Sequence, residues 1–169
     1  MTDNFYIHTI NPGSTSTKIA VFRSNKSIFT KNILTPVEEL KNFKKIVDQY
    51  QFRKDIILEE LRQTDIDLNQ IRAVVGRGGV VKPIPSGVYA VNIKLKKDLL
   101  ECTYGEHASN LGGLIADDLA SSLPVAKAFI VDPVVVDEYD DLARISGHPL
   151  LPRTSIFHAL NQKAVARAH

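Results

Sequence analysis

The chain has 169 residues, 44% of them hydrophobic and 24% charged, with a formal net charge of +2. That is the composition of a globular domain able to bury about 70% of its unfolded surface, and it excludes a disordered or collagen-like chain. No apolar run approaches the ~20 residues of a membrane-spanning helix, and the charge, slightly positive in the first half and slightly negative in the second, leaves no nucleic-acid footprint.

The single cysteine, Cys102, cannot form an internal disulfide, which fits a reducing compartment. The opening MTDNFYIHTI has neither the basic region nor the long apolar stretch of a signal peptide, so a cytoplasmic location is expected.

The first element predicted is a hairpin. Residues 5–10 are rich in aromatic and β-branched side chains, Asn11-Pro12-Gly13-Ser14 is turn chemistry, and residues 17–22 return as a second strand. A third strand is expected at 27–32. A helix should then begin with Thr35 as N-cap, Pro36 in the first position and Glu38 and Glu39 in the first turn, burying a stripe of Leu40, Phe43, Val47 and Tyr50. A second helix is expected over 52–64 with Ile56, Ile57 and Leu61 inward, or as the continuation of one long bent helix.

Residues 71–75 read as a buried strand stopped by Gly76-Arg77-Gly78-Gly79, 89–91 as a short strand, 92–103 and 107–123 as helices, 128–131 as a central strand and 155–167 as a last helix. Strands alternating with helices after a β-rich start favour an α/β domain with a mixed sheet. The helical, uncapped end at Ala164–His169 suggests a piece of a longer protein.

Five groups of residues could carry chemistry. In Asn11–Lys18, Gly13 allows close backbone approach, the turn's N–H groups can form an anion nest, Ser14, Thr15, Ser16 and Thr17 add hydroxyl donors, and Lys18 adds a point charge. This is not a Walker A loop, because GxxxxGK[ST] is absent and a strand follows. The bland reading is a polar hairpin turn.

Arg77, at a strand end among glycines that leave room for a substrate, can grip a carboxylate or phosphate with two prongs, or pair with a structural acid. Asp132, also at a strand end, can hold a divalent metal through water, orient a reacting group as a catalytic residue, or simply cap the turn before Pro133. His107 and His158 can each donate to developing charge on a phosphoryl group, or be structural. His8 belongs to the structural class, and the acids Asp137, Glu138, Asp140 and Asp141 read as a solvated helix start.

Taken in order, NPGSTSTK, VVGRGG, GEHASNLGG, FIVDPVVVDE and RTSIFHALNQKAVAR resemble the acetate and butyrate kinase family. FHALNQKAVAR is similar to its butyrate and branched-chain fatty acid kinase branch rather than to the FHGTSH of acetate kinases.

The resemblance implies a ribonuclease-H-like α/β domain of the actin, Hsp70 and sugar-kinase kind, with a mixed five-stranded sheet, occupying residues 1–150. Residues 151–169 would start the helix leading into a second domain. It further implies ATP and a short-chain fatty acid as substrates, ADP and an acyl phosphate as products, and a homo-oligomer as the full-length form, with neither nucleic acid nor membrane as partner.

By the same resemblance Asn11, Gly13, Ser14, Thr15, Ser16 and Lys18 surround the ATP phosphates, Asn11 and Asp132 hold Mg²⁺, and Asp132 is catalytic, organising either that Mg²⁺ or the nucleophile. Arg77 holds the carboxylate, and His158 with His107 stabilises the transferring phosphoryl group. A non-catalytic domain that keeps this fold and binds a phosphorylated ligand or a partner protein is the alternative.

Overall fold

A computed structural model describes residues 5–157 and 159–169. His158 therefore lies outside the described residues. Six strands form one sheet in the order β3-β2-β1-β4-β6-β5, comprising β1 (Tyr6–Pro12), β2 (Ser16–Arg23), β3 (Lys26–Leu34), β4 (Ile71–Arg77), β5 (Val88–Ala90) and β6 (Lys127–Val131). β1, β2 and β3 pair antiparallel, β1, β4 and β6 are parallel, and β5 returns antiparallel on the edge of β6. The sheet is mixed, as expected, with six strands instead of five. The sixth is the three-residue β5, held on β6 by the loop before it.

Five α-helices accompany the sheet among the described residues: α1 (Val37–Leu40), α2 (Tyr50–Arg62), α3 (Ile93–Leu100), α4 (Asn110–Ser121) and α5 (Ala159–Ala168). α4 is the central one. Its Leu111, Ile115 and Ala116 are fully buried, together with Ile10, Ile19, Val21, Ile57, Val74 and Leu99. α2 is tied to α4 by Asp118, which accepts from both the Tyr50 hydroxyl and the Lys54 ammonium. These two donors hold the Asp118 carboxyl below its ordinary range, and burial and the same carboxylate push the Tyr50 phenol upward.

Several predicted elements are shorter than the sequence pattern suggests. The expected helix from Thr35 through Tyr50 is broken. α1 is a single turn with Pro36 as its N-cap, and Thr35 is buried with its N–H donated to the Thr15 carbonyl. A separate 3₁₀ turn, Ile46–Gln49, leads into α2, because the Asp48 carboxylate caps the Lys45 N–H and the Glu106 carboxylate takes the Ile46 N–H. α4 starts at Asn110 rather than at His107. α3 begins after Asn92, whose side chain accepts from the Leu95 N–H.

The acidic run divides. Asp140 and Asp141 are exposed at the start of a short 3₁₀ turn, as expected, whereas Asp137 accepts from Arg144 and Glu138 accepts from Ser86 and Lys163, which ties the chain after β6 to α5 and to the 83–87 loop. The Lys163 and Ser86 bonds draw the Glu138 carboxyl down to about 2.

Candidate active site

The parallel strands β1, β4 and β6 end together, and their carboxyl ends carry Asn11, Arg77 and, just beyond, Asp132. Open α/β sheets bind ligands at this edge. The β1–β2 turn lies there too. α4 runs back along the sheet with its N-terminus at the same edge, where Gly112 packs on Gly76 and Arg77.

Register sets part of the site. Asn11 pairs with Lys18 and Lys18 with Asn32, so the three form one row across β1, β2 and β3. β1 continues through Asn11 and Pro12, and the turn proper is Gly13–Thr15, closed by the Gly13 N–H donated to the Ser16 carbonyl at 2.7 Å.

A cavity of about 420 Å³ is lined by Asn11, Pro12, Gly13, Ser14, Ser16, Lys18, Asn32, Arg77 and His107. Two of these side chains are cations and none is an acid. The α4 N-terminus adds positive potential. The structure thus brings together Asn11, Gly13, Ser14, Ser16, Lys18, Arg77 and His107. Thr15 does not line the cavity; its carbonyl accepts the Thr35 N–H and its side chain is exposed. Thr17, expected to offer its hydroxyl, is buried and accepts there from Arg53.

Arg77 also borders a second cavity of about 160 Å³, with Val131, Asp132, Pro133, Val134, Val136, Phe157, Ala159, Leu160 and Asn161. This one has a mixed lining, with Val134, Val136, Phe157 and Leu160 forming its apolar wall. Phe157 is fixed over it by donating its N–H to the Val134 carbonyl, and its ring meets that of His107 at 5.2 Å between centroids. Among the described residues the Arg77 guanidinium makes no hydrogen bond or ion pair with protein, and the side chain borders both cavities.

The glycines beside Arg77 serve packing rather than substrate room. A Cβ at Gly76 would lie 2.2 Å from the Gly112 carbonyl, one at Gly78 2.6 Å from Pro133, and one at Gly79 2.6 Å from the Asn110 amide oxygen.

His107 has a defined tautomer. Its Nδ1 accepts the Ser109 N–H at 3.2 Å and contacts the Ser109 hydroxyl at 2.8 Å, so the neutral ring carries its proton on Nε2. Burial, and secondarily the Arg77 charge, lower its pKa and favour that neutral form. His107 is thereby a neutral hydrogen-bond donor bordering the cavity.

Asp132 is held in the left-handed region at φ 46°. Its N–H donates to the Gly87 carbonyl, and its Oδ1 accepts the Gly87 N–H, each at 3.0 Å. It caps the 83–87 loop while remaining exposed. No three His, Cys, Asp or Glu side chains converge among the described residues. Asn11 and Asp132 line separate cavities joined by Arg77. One carboxylate and one amide are donors suited to Mg²⁺, which binds through one or two carboxylates plus substrate phosphates and keeps several waters.

Two residues escaped the sequence reading. Asn32 had no local signal, since only strand register places it. Arg53 did have one, because it occupies the same i, i+4, i+8 stripe as the buried Ile57 and Leu61.

No protein-family model matches the chain. It is 55% identical over 160 residues to butyrate kinase 1 of Clostridium acetobutylicum, covering 95% of this chain and 45% of that protein. It is 56% identical over 161 residues to a probable butyrate kinase of Bacteroides thetaiotaomicron, with the same coverage. The chain thus spans about half the length of the curated relatives it matches.

Among solved structures, acetate kinase from Porphyromonas gingivalis aligns with a TM-score of 0.61 at 14% identity over 97% of this chain and 48% of its own. Acetate kinase from Entamoeba histolytica aligns at 0.55, also at 14% identity, over 96% of this chain and 45% of its own. These two likenesses concern the fold. Over nearly its whole length the chain is thus similar in sequence to butyrate kinases, of whose length it covers about 45%.

Proposed function

We propose that the chain supplies the phosphate- and carboxylate-binding part of a kinase that transfers the γ-phosphoryl group of ATP to butyrate or another short or branched fatty acid. The observation that carries this reading is Arg77. It joins an acid-free cavity lined by Lys18, Ser14 and Ser16 to a smaller cavity of mixed lining, where Val134, Val136, Phe157 and Leu160 offer an apolar wall beside Asp132 and Asn161. Residues 1–150 form the ribonuclease-H-like domain of this reading, and 151–169 lead from it toward a second domain.

The acyl carboxylate is ionised at neutral pH and needs no general base. One of its oxygens forms a bond to the γ-phosphorus while the bond from that phosphorus to the β,γ-bridging oxygen breaks, leaving ADP and an acyl phosphate. Positioning and charge neutralisation carry such a transfer.

In this scheme the Arg77 fork holds the carboxylate, while Val134, Val136, Phe157 and Leu160 wall the acyl chain. Lys18, Ser14 and Ser16 contact phosphate oxygens, and the His107 Nε2–H donates to an oxygen of the transferring group. His158 has the same role by resemblance. Asn11 and Asp132 would hold Mg²⁺, which would supply charge neutralisation to the phosphates.

Acyl phosphate formed from ATP, Mg²⁺ and butyrate, and trapped as the hydroxamate, tests the reading on the chain and on the protein of its full reading frame. Absence of product in both overturns it and favours the non-catalytic alternative. Arg77→Lys should raise the KM for butyrate about tenfold or more, ~1.4 kcal/mol, because an ammonium cannot reproduce the two-pronged contact. The KM for ATP should change far less. An unchanged KM for butyrate removes Arg77 from carboxylate binding.

A further inference from the structure

Arg53 is a large charged side chain buried in the core, with 2% of its surface exposed. Its bonds converge on one feature. Nη2 donates to the Ser14 carbonyl at 2.9 Å, and Nη1 donates to the Ser16 carbonyl at 3.2 Å and to the Thr17 hydroxyl at 2.9 Å. Nε donates to the buried Gln49 side chain at 3.0 Å, which fixes the plane of the fork. Each of these acceptors is a neutral oxygen, and no carboxylate pairs with Arg53 among the described residues. Burial lowers its pKa, the mark of a cation held where its charge is poorly compensated.

The geometry has a direct consequence for the turn. A peptide plane carries its C=O and the following N–H on opposite sides. Drawing the Ser14 carbonyl toward Arg53 turns the Thr15 N–H away from it. The Thr15 carbonyl is drawn to the Thr35 N–H, which turns the Ser16 N–H away from Thr35. Of this turn, Gly13, Ser14 and Ser16 border the cavity with Lys18 and Arg77.

We infer that Arg53 is a positioning residue for anion binding: from beneath the turn it fixes the peptide planes that present N–H groups to a di- or triphosphate, whose negative charge on the outer face answers the buried cation. This rests on the phosphate-binding reading proposed above. Its distinct content is that a side chain outside the cavity sets the anion affinity.

Titration of the chain with inorganic pyrophosphate, followed by calorimetry and by backbone amide shifts, tests it. Wild type should bind with shifts centred on residues 13–18. Arg53→Met should weaken binding at least tenfold. Arg53→Lys should weaken it similarly, since one ammonium cannot span three acceptors.

Gln49→Met leaves the guanidinium in place but frees its plane, and should weaken binding about threefold with cooperative melting retained. If Arg53→Met does not fold, the Gln49→Met and Arg53→Lys variants decide. Folded variants that bind like wild type overturn the role of Arg53, and full affinity in Arg53→Lys overturns the fork geometry. Absence of pyrophosphate binding by wild type overturns the phosphate-binding reading itself, and this inference with it.

Discussion

Gly76→Ala should cost the fold about 3 kcal/mol or more, at the upper end of overpacking. A Cβ there would stand 2.2 Å from the Gly112 carbonyl carbon and oxygen and 2.8 Å from the Gly113 nitrogen. All three are backbone atoms, so no side chain can rotate away. α4 would have to lift from β4, loosening Leu111, Ile115 and Ala116 together.

Gly112→Ala approaches from the helix side, with its Cβ 2.6 Å from the Arg77 carbonyl. Alanine gains about 1 kcal/mol of helix propensity over glycine, but the clash should outweigh it. Urea unfolding checks both, with Gly147→Ala as control, since nothing lies within 4 Å of that position. The control should stay within about 0.5 kcal/mol of wild type. A wild-type midpoint for Gly76→Ala would show that strand and helix do not meet this closely.

Acidification from about pH 7 to about pH 5 should remove about 2 kcal/mol of stability through His8 alone, as linkage requires. His8 is buried on β1, Nδ1 engages the Ala20 carbonyl at 3.1 Å, and Nε2 is buried without a partner. Burial lowers its pKa from 6.5 to about 4, against a smaller opposing effect of the Ala20 bond. The folded pKa is depressed, so the unfolded chain binds the proton first. His8 therefore favours the native state fully above about pH 6.5, and that contribution drains as pH falls toward 4.

His107 shifts in the same direction, and carboxylates add their own losses at lower pH. The His8 share is thus the difference between wild type and His8→Leu. Chemical denaturation at both pH values should show a clearly smaller loss for His8→Leu. Equal losses would mean that His8 is not neutral and buried in the folded chain.

Local chemistry made much of the fold readable. β1 and β2 were visible in their aromatic and β-branched residues, β4 and β6 in their compact apolar runs, and α4 in its spacing of Leu111, Leu114, Ile115 and Leu119. Element ends were less readable, because caps came from far along the chain. Glu106 takes the Ile46 N–H and so helps stop the predicted helix from running through Tyr50. The same holds for two of the acids after β6: Asp137 and Glu138 bind Arg144, Ser86 and Lys163, while Asp140 and Asp141 are exposed as their pattern suggests.

At the candidate site, the sequence by itself determined which chemistry was present: a Ser-Thr turn with a lysine, an arginine and an aspartate after apolar strands, and a histidine before a helix. These are short-range patterns, fixed by residue type and neighbours. Tertiary structure alone decided which of them share a cavity, because strand register and the crossing of α4 are long-range facts. It added Asn32 through register, turned Thr17 inward, gave the glycines around Arg77 to packing, and placed Arg53 under the turn. A buried cation is recognisable as a structural support only once the carbonyls that receive its bonds are known.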